Sequence, residues 1–184
     1  IEGCKHNKRI YQNKIYVAFY DYAMSICYKY GNDKEDAVEI INDGFLKIFR
    51  EIYKYKPLSE DIAFGFTSWL RRIMINTAID HYRKNKNNAI LKDLNEEQEY
   101  LTAKEEQDML SRLSYNELIK IVHELSPAYR MVFNLYAIEG MTHKEVGKHL
   151  NITEGTSKSN FAKARAFLQN KLLQQINKKE INAF

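Results

Sequence analysis

MTHKEVGKHLNITEGTSKSNFAKARAFLQNKL, residues 141–172, is the stretch on which the fold turns. Thr142 and Glu145 stand three apart ahead of two apolar residues, Val146 and Leu150, a spacing that predicts a capped short helix. Gly147 sits between the apolar pair and lets a neighbouring helix come close. Asn151 falls where the chain must turn sharply, and asparagine tolerates the left-handed backbone region better than most residues. Ile152 can tuck in between the helices, and Thr153 caps a second, longer helix with Phe161, Ala164, Leu168 and Leu172 on its inner side. A short helix, a tight turn and a longer helix make a helix-turn-helix.

Fixing the inner positions fixes the outer ones. The second helix presents Thr156, Lys158, Ser159 and Lys163 outward, with Asn160 and Arg165 nearer its edges. Short hydrogen-bonding groups and flexible cations are the chemistry that touches base edges and phosphates, and a helix N-terminus adds backbone N–H donors for a phosphate. Charge agrees. From Met141 to Lys179 the cations Lys144, Lys148, Lys158, Lys163, Arg165, Lys171, Lys178 and Lys179 face only Glu145 and Glu154. The net charge of the chain is only +4, so the asymmetry, not the total, points to a polyanion.

Upstream, Leu118, Val122 and Leu125 line one helix, and Ser126-Pro127 opens the next, with Met131, Val132 and Leu135 on its apolar side. Residues 88–112 read as a linker: from Glu96 to Asp108 there are six acids and one lysine. Ahead of it lie three amphipathic helices. The first carries Ile15, Phe19, Ala23, Ile26, Cys27 and Tyr30 and ends at Gly31. Asn32-x-x-Glu35 offers a capping box for the second, with Ala37, Ile41, Phe45, Ile48 and Phe49 inside. A break at Pro57-Leu-Ser59 precedes the third, from about Phe66 to Lys84, with Trp69, Leu70, Ile73 and Ile79 facing inward. Gly and Pro number only 7 and 2 in 184 residues, which favours helices throughout. The expected fold is all-α: two small helical domains, 1–87 and 113–184, joined by an acidic linker, the C-terminal one holding the helix-turn-helix.

Enzyme chemistry finds no support. His143 and His149 are six apart, off the spacing that converges ligands on a helix, and Cys4-x-His6 has no partner pair for a metal site. No phosphate loop, nucleophilic triad or paired-cysteine motif occurs, so no catalytic residue, metal or cofactor is expected. Two cysteines are too few for a disulfide framework; no apolar run reaches membrane-spanning length and no signal peptide is visible. The expected setting is cytoplasmic, without membrane insertion.

Two segments carry a family resemblance. Leu125-Ser-Pro-Ala-Tyr-Arg130 through Phe133-x-Leu135-Tyr136, Glu139-Gly-Met-Thr142 and Gly155-Thr-Ser-Lys-Ser159 resemble the C-terminal domain of extracytoplasmic-function (ECF) sigma factors of RNA polymerase. Asp36-Ala37, Asn42-Asp-Gly-Phe-Leu46-x-x-Phe49 and Phe66-x-x-Trp69-Leu70-x-x-Ile73-x-x-Asn76-x-Ala78-Ile79-Asp80 resemble that family's second region. Two positions depart from the pattern: Ser157 stands where an aliphatic residue is usual, which is expected to loosen the helix packing, and Asn160 stands where a basic residue is usual.

The resemblance implies a transcription initiation factor that binds core RNA polymerase, directs it to promoters and nucleates melting. Glu39, Asn42 and Asp43 would grip the polymerase clamp helices. Arg72, Asn76, Asp80, Arg83 and Lys84, on a helix that also carries Arg71 and His81, would meet the minus-ten element with the loop of about Pro57 to Gly65. Phe64 and Phe66, at the loop edge, are the stacking candidates, and Trp69 belongs to the core by its spacing. Thr156, Lys158, Ser159, Asn160, Lys163 and Arg165 would read the minus-thirty-five element. Family members are commonly held by an anti-sigma factor, which is expected here as a further partner. The rival reading is an autonomous helix-turn-helix regulator, with a sensor or dimerisation surface in residues 10–86.

Overall fold

A computed structural model of the chain describes residues 1–56, 62–89 and 115–181. The break at Pro57-Leu-Ser59 and nearly all of the 88–112 linker lie outside the described residues. Two compact units divide the chain, Ile1–Asn88 and Ala89–Phe184. Every regular element among the described residues is helical. None of the helices is long and apolar enough to cross a membrane.

The first unit runs α1 (Glu2–Lys5), α2 (Arg9–Cys27), α3 (Lys34–Glu51), a 3-10 turn (Ile52–Lys54) and α4 (Ile62–Ala89). Its centre is α3, whose Ala37, Ile40, Ile41, Gly44, Phe45 and Ile48 are buried on one face at helical spacing. Fully burying each of the larger apolar side chains contributes about 1.5–3 kcal/mol. From α2 come Ala23, Ile26 and Cys27, and from α4 Leu70, Met74, Ala78 and Ile79. A Cβ on Gly44 would fall on the Met74 sulphur, so the glycine makes room for that side chain of α4. Burial pushes the Cys27 thiol up to about 12.

In this unit α2 ends at Cys27 and α4 runs on to Ala89, where the sequence reading had Gly31 and Lys84, and two helix starts differ as well. The cap of α3 is Asp33, whose carboxylate accepts the Asp36 backbone N–H at 2.7 Å; the expected Asn32/Glu35 box is displaced by one residue. Asn32 instead binds the Asp36 carboxylate through its backbone and side-chain nitrogens, at 3.1 and 2.7 Å. With Glu35 and Asp36 in the first turn and Arg50 in the last, α3 also opposes its own dipole. The second difference is the start of α4, at Ile62 instead of about Phe66. Phe66 is therefore already one turn into the helix and points inward, 2% exposed, with edge-on contacts to Phe19 and Tyr55. It is not available to stack on a base. Phe64 is 69% exposed, and Trp69 is half-buried against Tyr55 and Phe66.

The second unit runs α5 (Tyr115–His123), α6 (Pro127–Phe133), a wider π turn (Asn134–Ile138), α7 (His143–Leu150) and α8 (Glu154–Ile181). Ile121, Val122 and Leu125 pack with Ala164 and Leu168 of α8, and Tyr129, Phe133, Phe167 and Leu172 close the cluster. Ser126 and Pro127 open α6 as read from the sequence, although the Ser126 hydroxyl makes no capping bond. The buried Arg130 guanidinium donates to the carbonyls of His123 and Leu125, at 2.9 and 3.4 Å, satisfying orphan acceptors at the end of α5.

Candidate nucleic-acid and polymerase interfaces

Helix α7 begins with a reciprocal cap. The Thr142 hydroxyl accepts the Glu145 N–H at 3.3 Å, while the Glu145 carboxylate accepts the Thr142 N–H and O–H, both at 2.8 Å. These bonds hold the Glu145 carboxyl below the ordinary range, the backbone bond first and the hydroxyl second. The cap is complete above the ordinary carboxylate range and is lost as pH falls through the lowered value. Thr142→Ala is expected to cost about 0.5–2 kcal/mol in urea melts followed by helical circular dichroism. Fluorescence of the single tryptophan, Trp69, which lies in the first unit, should not move with it.

The turn follows the logic of its residues. Asn151 ends α7 in the left-handed region, φ 52° and ψ 49°. The Ile152 N–H then returns to the Gly147 carbonyl at 3.0 Å. A Cβ on Gly147 would stand 2.8 Å from the Ile152 carbonyl oxygen, too close for any side chain without moving backbone. Thr153 caps α8 by accepting the Thr156 N–H at 3.0 Å, and the Ser157 N–H bonds the Thr153 carbonyl at 3.0 Å. Those two donors are consequently committed within the helix and are not among the N–H groups open to a phosphate, which trims the anion site read from the sequence.

Ser157 corrects a second expectation. It is fully buried, and its hydroxyl lies 3.0 Å from His143 Nδ1, so the contact between α7 and α8 is tied, not loosened. The His143 ring stacks on Tyr136 with centroids 4.0 Å apart, and Phe161 packs against both. A polar serine here is compensated by a polar partner fourteen residues earlier, a pairing no local pattern reveals.

On the outer side of α8, Thr156, Ser159, Asn160 and Lys163 form one stripe at helical spacing, and Lys158 and Arg165, seven apart, flank it. Thr156, Lys158, Ser159 and Arg165 are exposed, whereas Asn160 and Lys163 are half-buried. Lys163 Nζ lies 6.0 Å from the Tyr129 ring centre, and Lys158 pairs with Glu154 at 2.7 Å.

Two further faces lie on the first unit. Along α4, Arg72, Asn76, Asp80, Arg83 and Lys84 follow one another at turn spacing; all are exposed but Arg83, which is half-buried. Asp80 is bound to Lys47 of α3 at 2.9 Å and to Arg83 at 3.6 Å. Along α3, Glu39, Asn42 and Asp43 are exposed together. Tyr16 O–H donates to Asn42 at 3.1 Å, and Glu39 lies 3.5 Å from His81. The sequence reading gave Leu46 no place on this face, although 39, 42, 43 and 46 share one helical side. Leu46 is 61% exposed there, an apolar residue at the edge of an acidic stripe.

Comparison with known proteins gives the same division. Residues 15–88 match the family "Sigma-70 region 2" and residues 115–168 match "Sigma-70, region 4". The ECF RNA polymerase sigma factor SigW of Bacillus subtilis is 28% identical over 172 residues, covering 89% of this chain and 85% of that one. The ECF RNA polymerase sigma factor SigE of Mycolicibacterium smegmatis is 25% identical over 155 residues, covering 83% of this chain; the match spans 58% of that relative's length. The sigma factor RpoE of Bartonella quintana, solved in complex with the anti-sigma factor NepR, aligns with a TM-score of 0.48 at 18% identity, covering 88% of this chain and 96% of that one.

Proposed function

The chain belongs to the sigma-70 family of RNA polymerase factors, in its ECF group, and from that premise we propose how it works: it binds core polymerase, carries it to promoters in the cytoplasm and starts the melting of DNA. One observation carries this reading: regions 2 and 4 occur in that order, the latter with a fully capped helix-turn-helix. In this reading region 2 uses Glu39, Asn42 and Asp43 toward polymerase, and Arg72, Asn76, Asp80, Arg83 and Lys84 toward the minus-ten element. Region 4 uses Thr156, Lys158, Ser159, Asn160, Lys163 and Arg165 toward the minus-thirty-five element. The domain limits 1–87, 88–112 and 113–184 belong to the same proposal, as does an anti-sigma factor as a partner.

Magnitudes explain the division of labour. Unstacking DNA costs about 1.4 kcal/mol per step. A captured base returns about 1–3 kcal/mol by stacking. With Phe66 buried, Phe64 is the aromatic left to offer such a platform at the start of α4. One captured base offsets one or two steps, so the chain nucleates opening and the polymerase completes it. Run-off transcription from a random promoter pool tests the whole reading. The expected result is transcripts from a defined subset of promoters above core polymerase alone; their absence would sink it.

Lys158→Ala tests region 4 separately. An exposed ion pair at i,i+4 is weak and screened by salt, so a phosphate can draw Lys158 away from Glu154. Holoenzyme carrying Lys158→Ala is expected to bind promoters more weakly at low salt, with the salt slope reduced by about 1. Unchanged affinity would remove Lys158 from the contact surface.

A further inference from the structure

Asp36, Glu39 and His81 meet on the first unit, with one ligand atom of each lying within 4.8 Å of the others. Asp36 and Glu39 are three apart on α3, which sets both carboxylates on one side of the helix, and His81 reaches them from α4. His81 is the informative member. Only 9% of its side chain is exposed, and its Nε2 faces Glu39 Oε2 at 3.5 Å.

We propose that Asp36, Glu39 and His81 form a site for a divalent transition-metal ion such as zinc, with water completing the shell. One imidazole and two carboxylates are a recognised donor set for such ions. Metal–ligand bonds of about 2.0–2.2 Å give a tetrahedral edge of about 3.3–3.6 Å, and the His81–Glu39 separation falls within it. An Asp36 carboxylate oxygen lies within 4.8 Å of both and completes the set. A supporting shell is in place too. Asn32 fixes one Asp36 oxygen through two bonds, and Asn85 lies 3.3 Å from His81 Nδ1. Turning the Asn85 amide presents its oxygen to an Nδ1 proton and frees the Nε2 lone pair for the ion.

The site engages Glu39, which the proposed function places toward polymerase. Resting on that reading, a bound cation takes a charge out of the docking face and makes polymerase affinity depend on metal concentration.

Cobalt(II) titrated into the purified full chain and followed by visible absorption tests the site without polymerase. One saturable equivalent, displaced by zinc, is expected, and His81→Ala should weaken it by at least about tenfold. Glu39→Gln, at an exposed position, should do the same with helical circular dichroism unchanged. No saturable band, equal affinity in both variants, or thiolate-to-cobalt absorption from Cys4 or Cys27 would overturn the site. A polymerase pull-down with and without zinc separates the two ideas. Cobalt binding with metal-insensitive pull-down keeps the site and removes Glu39 from the polymerase face.

Discussion

Asp43→Lys is expected to abolish recovery of the chain with core RNA polymerase while leaving its helical content unchanged. Of the carboxylates on the two outward faces of region 2, Asp80 is tethered to Lys47 and Arg83, and Glu39 faces His81. Asp43 is exposed and in no ion pair among the described residues, so its charge is the one fully available to a partner. Losing one member of an interfacial charge pair costs about 2–5 kcal/mol, roughly 30- to 4,000-fold in affinity, and reversal adds repulsion. The fold should tolerate the change: the new lysine stands one turn from Lys47, a like-charge spacing that costs a few tenths of a kcal/mol. Pull-down with purified core polymerase decides it. Binding at the parent level would place Asp43 outside the interface.

Gly147→Val is expected to disable promoter recognition through region 4 without disturbing region 2. The added carbon would meet the Ile152 carbonyl at 2.8 Å, and that oxygen belongs to backbone that no side-chain rotation can move. The Ile152 N–H already bonds the Gly147 carbonyl, so α7 and the turn must separate together. Overpacking of this kind costs about 1–3 kcal/mol, a large fraction of what a small helical unit has. The result to look for is a lower urea midpoint by helical circular dichroism and loss of specific promoter footprints by holoenzyme. Fluorescence from Trp69 should stay as in the parent. A parent-like footprint would mean that the turn gives way without harm to recognition.

How much of this was legible beforehand depended on distance along the chain. The helix-turn-helix was readable because its determinants are local: Thr142 and Glu145 are three apart, and Asn151 carries its own backbone preference. Where two candidates competed locally, the reading slipped by a residue. Asn32 and Asp33 can both cap α3; Asp33 takes the cap because Asn32 is engaged with the Asp36 side chain. Phe66 looked like a loop-edge aromatic because the helix was started too late, and one turn of additional helix swings it into the core. Ser157 looked like a packing fault because its partner, His143, sits on another helix. His81 shows the limit most clearly. Its neighbours Asp36 and Glu39 lie more than forty residues earlier, and only the packing of α3 on α4 brings the three together. The outward faces were legible as helical stripes, whereas the exposure of Leu46 was not, because an apolar residue next to Phe45 carries no sign of which way it faces.

The sealed sulphur of Cys27 has a bearing on what this factor can perceive. With its ionisation pushed up to about 12, only about one molecule in 100,000 carries the reactive anion at neutral pH. Peroxide or an electrophile would find almost nothing there to attack. If oxidative stress switches the genes this chain serves, Cys27 is not where the message is received.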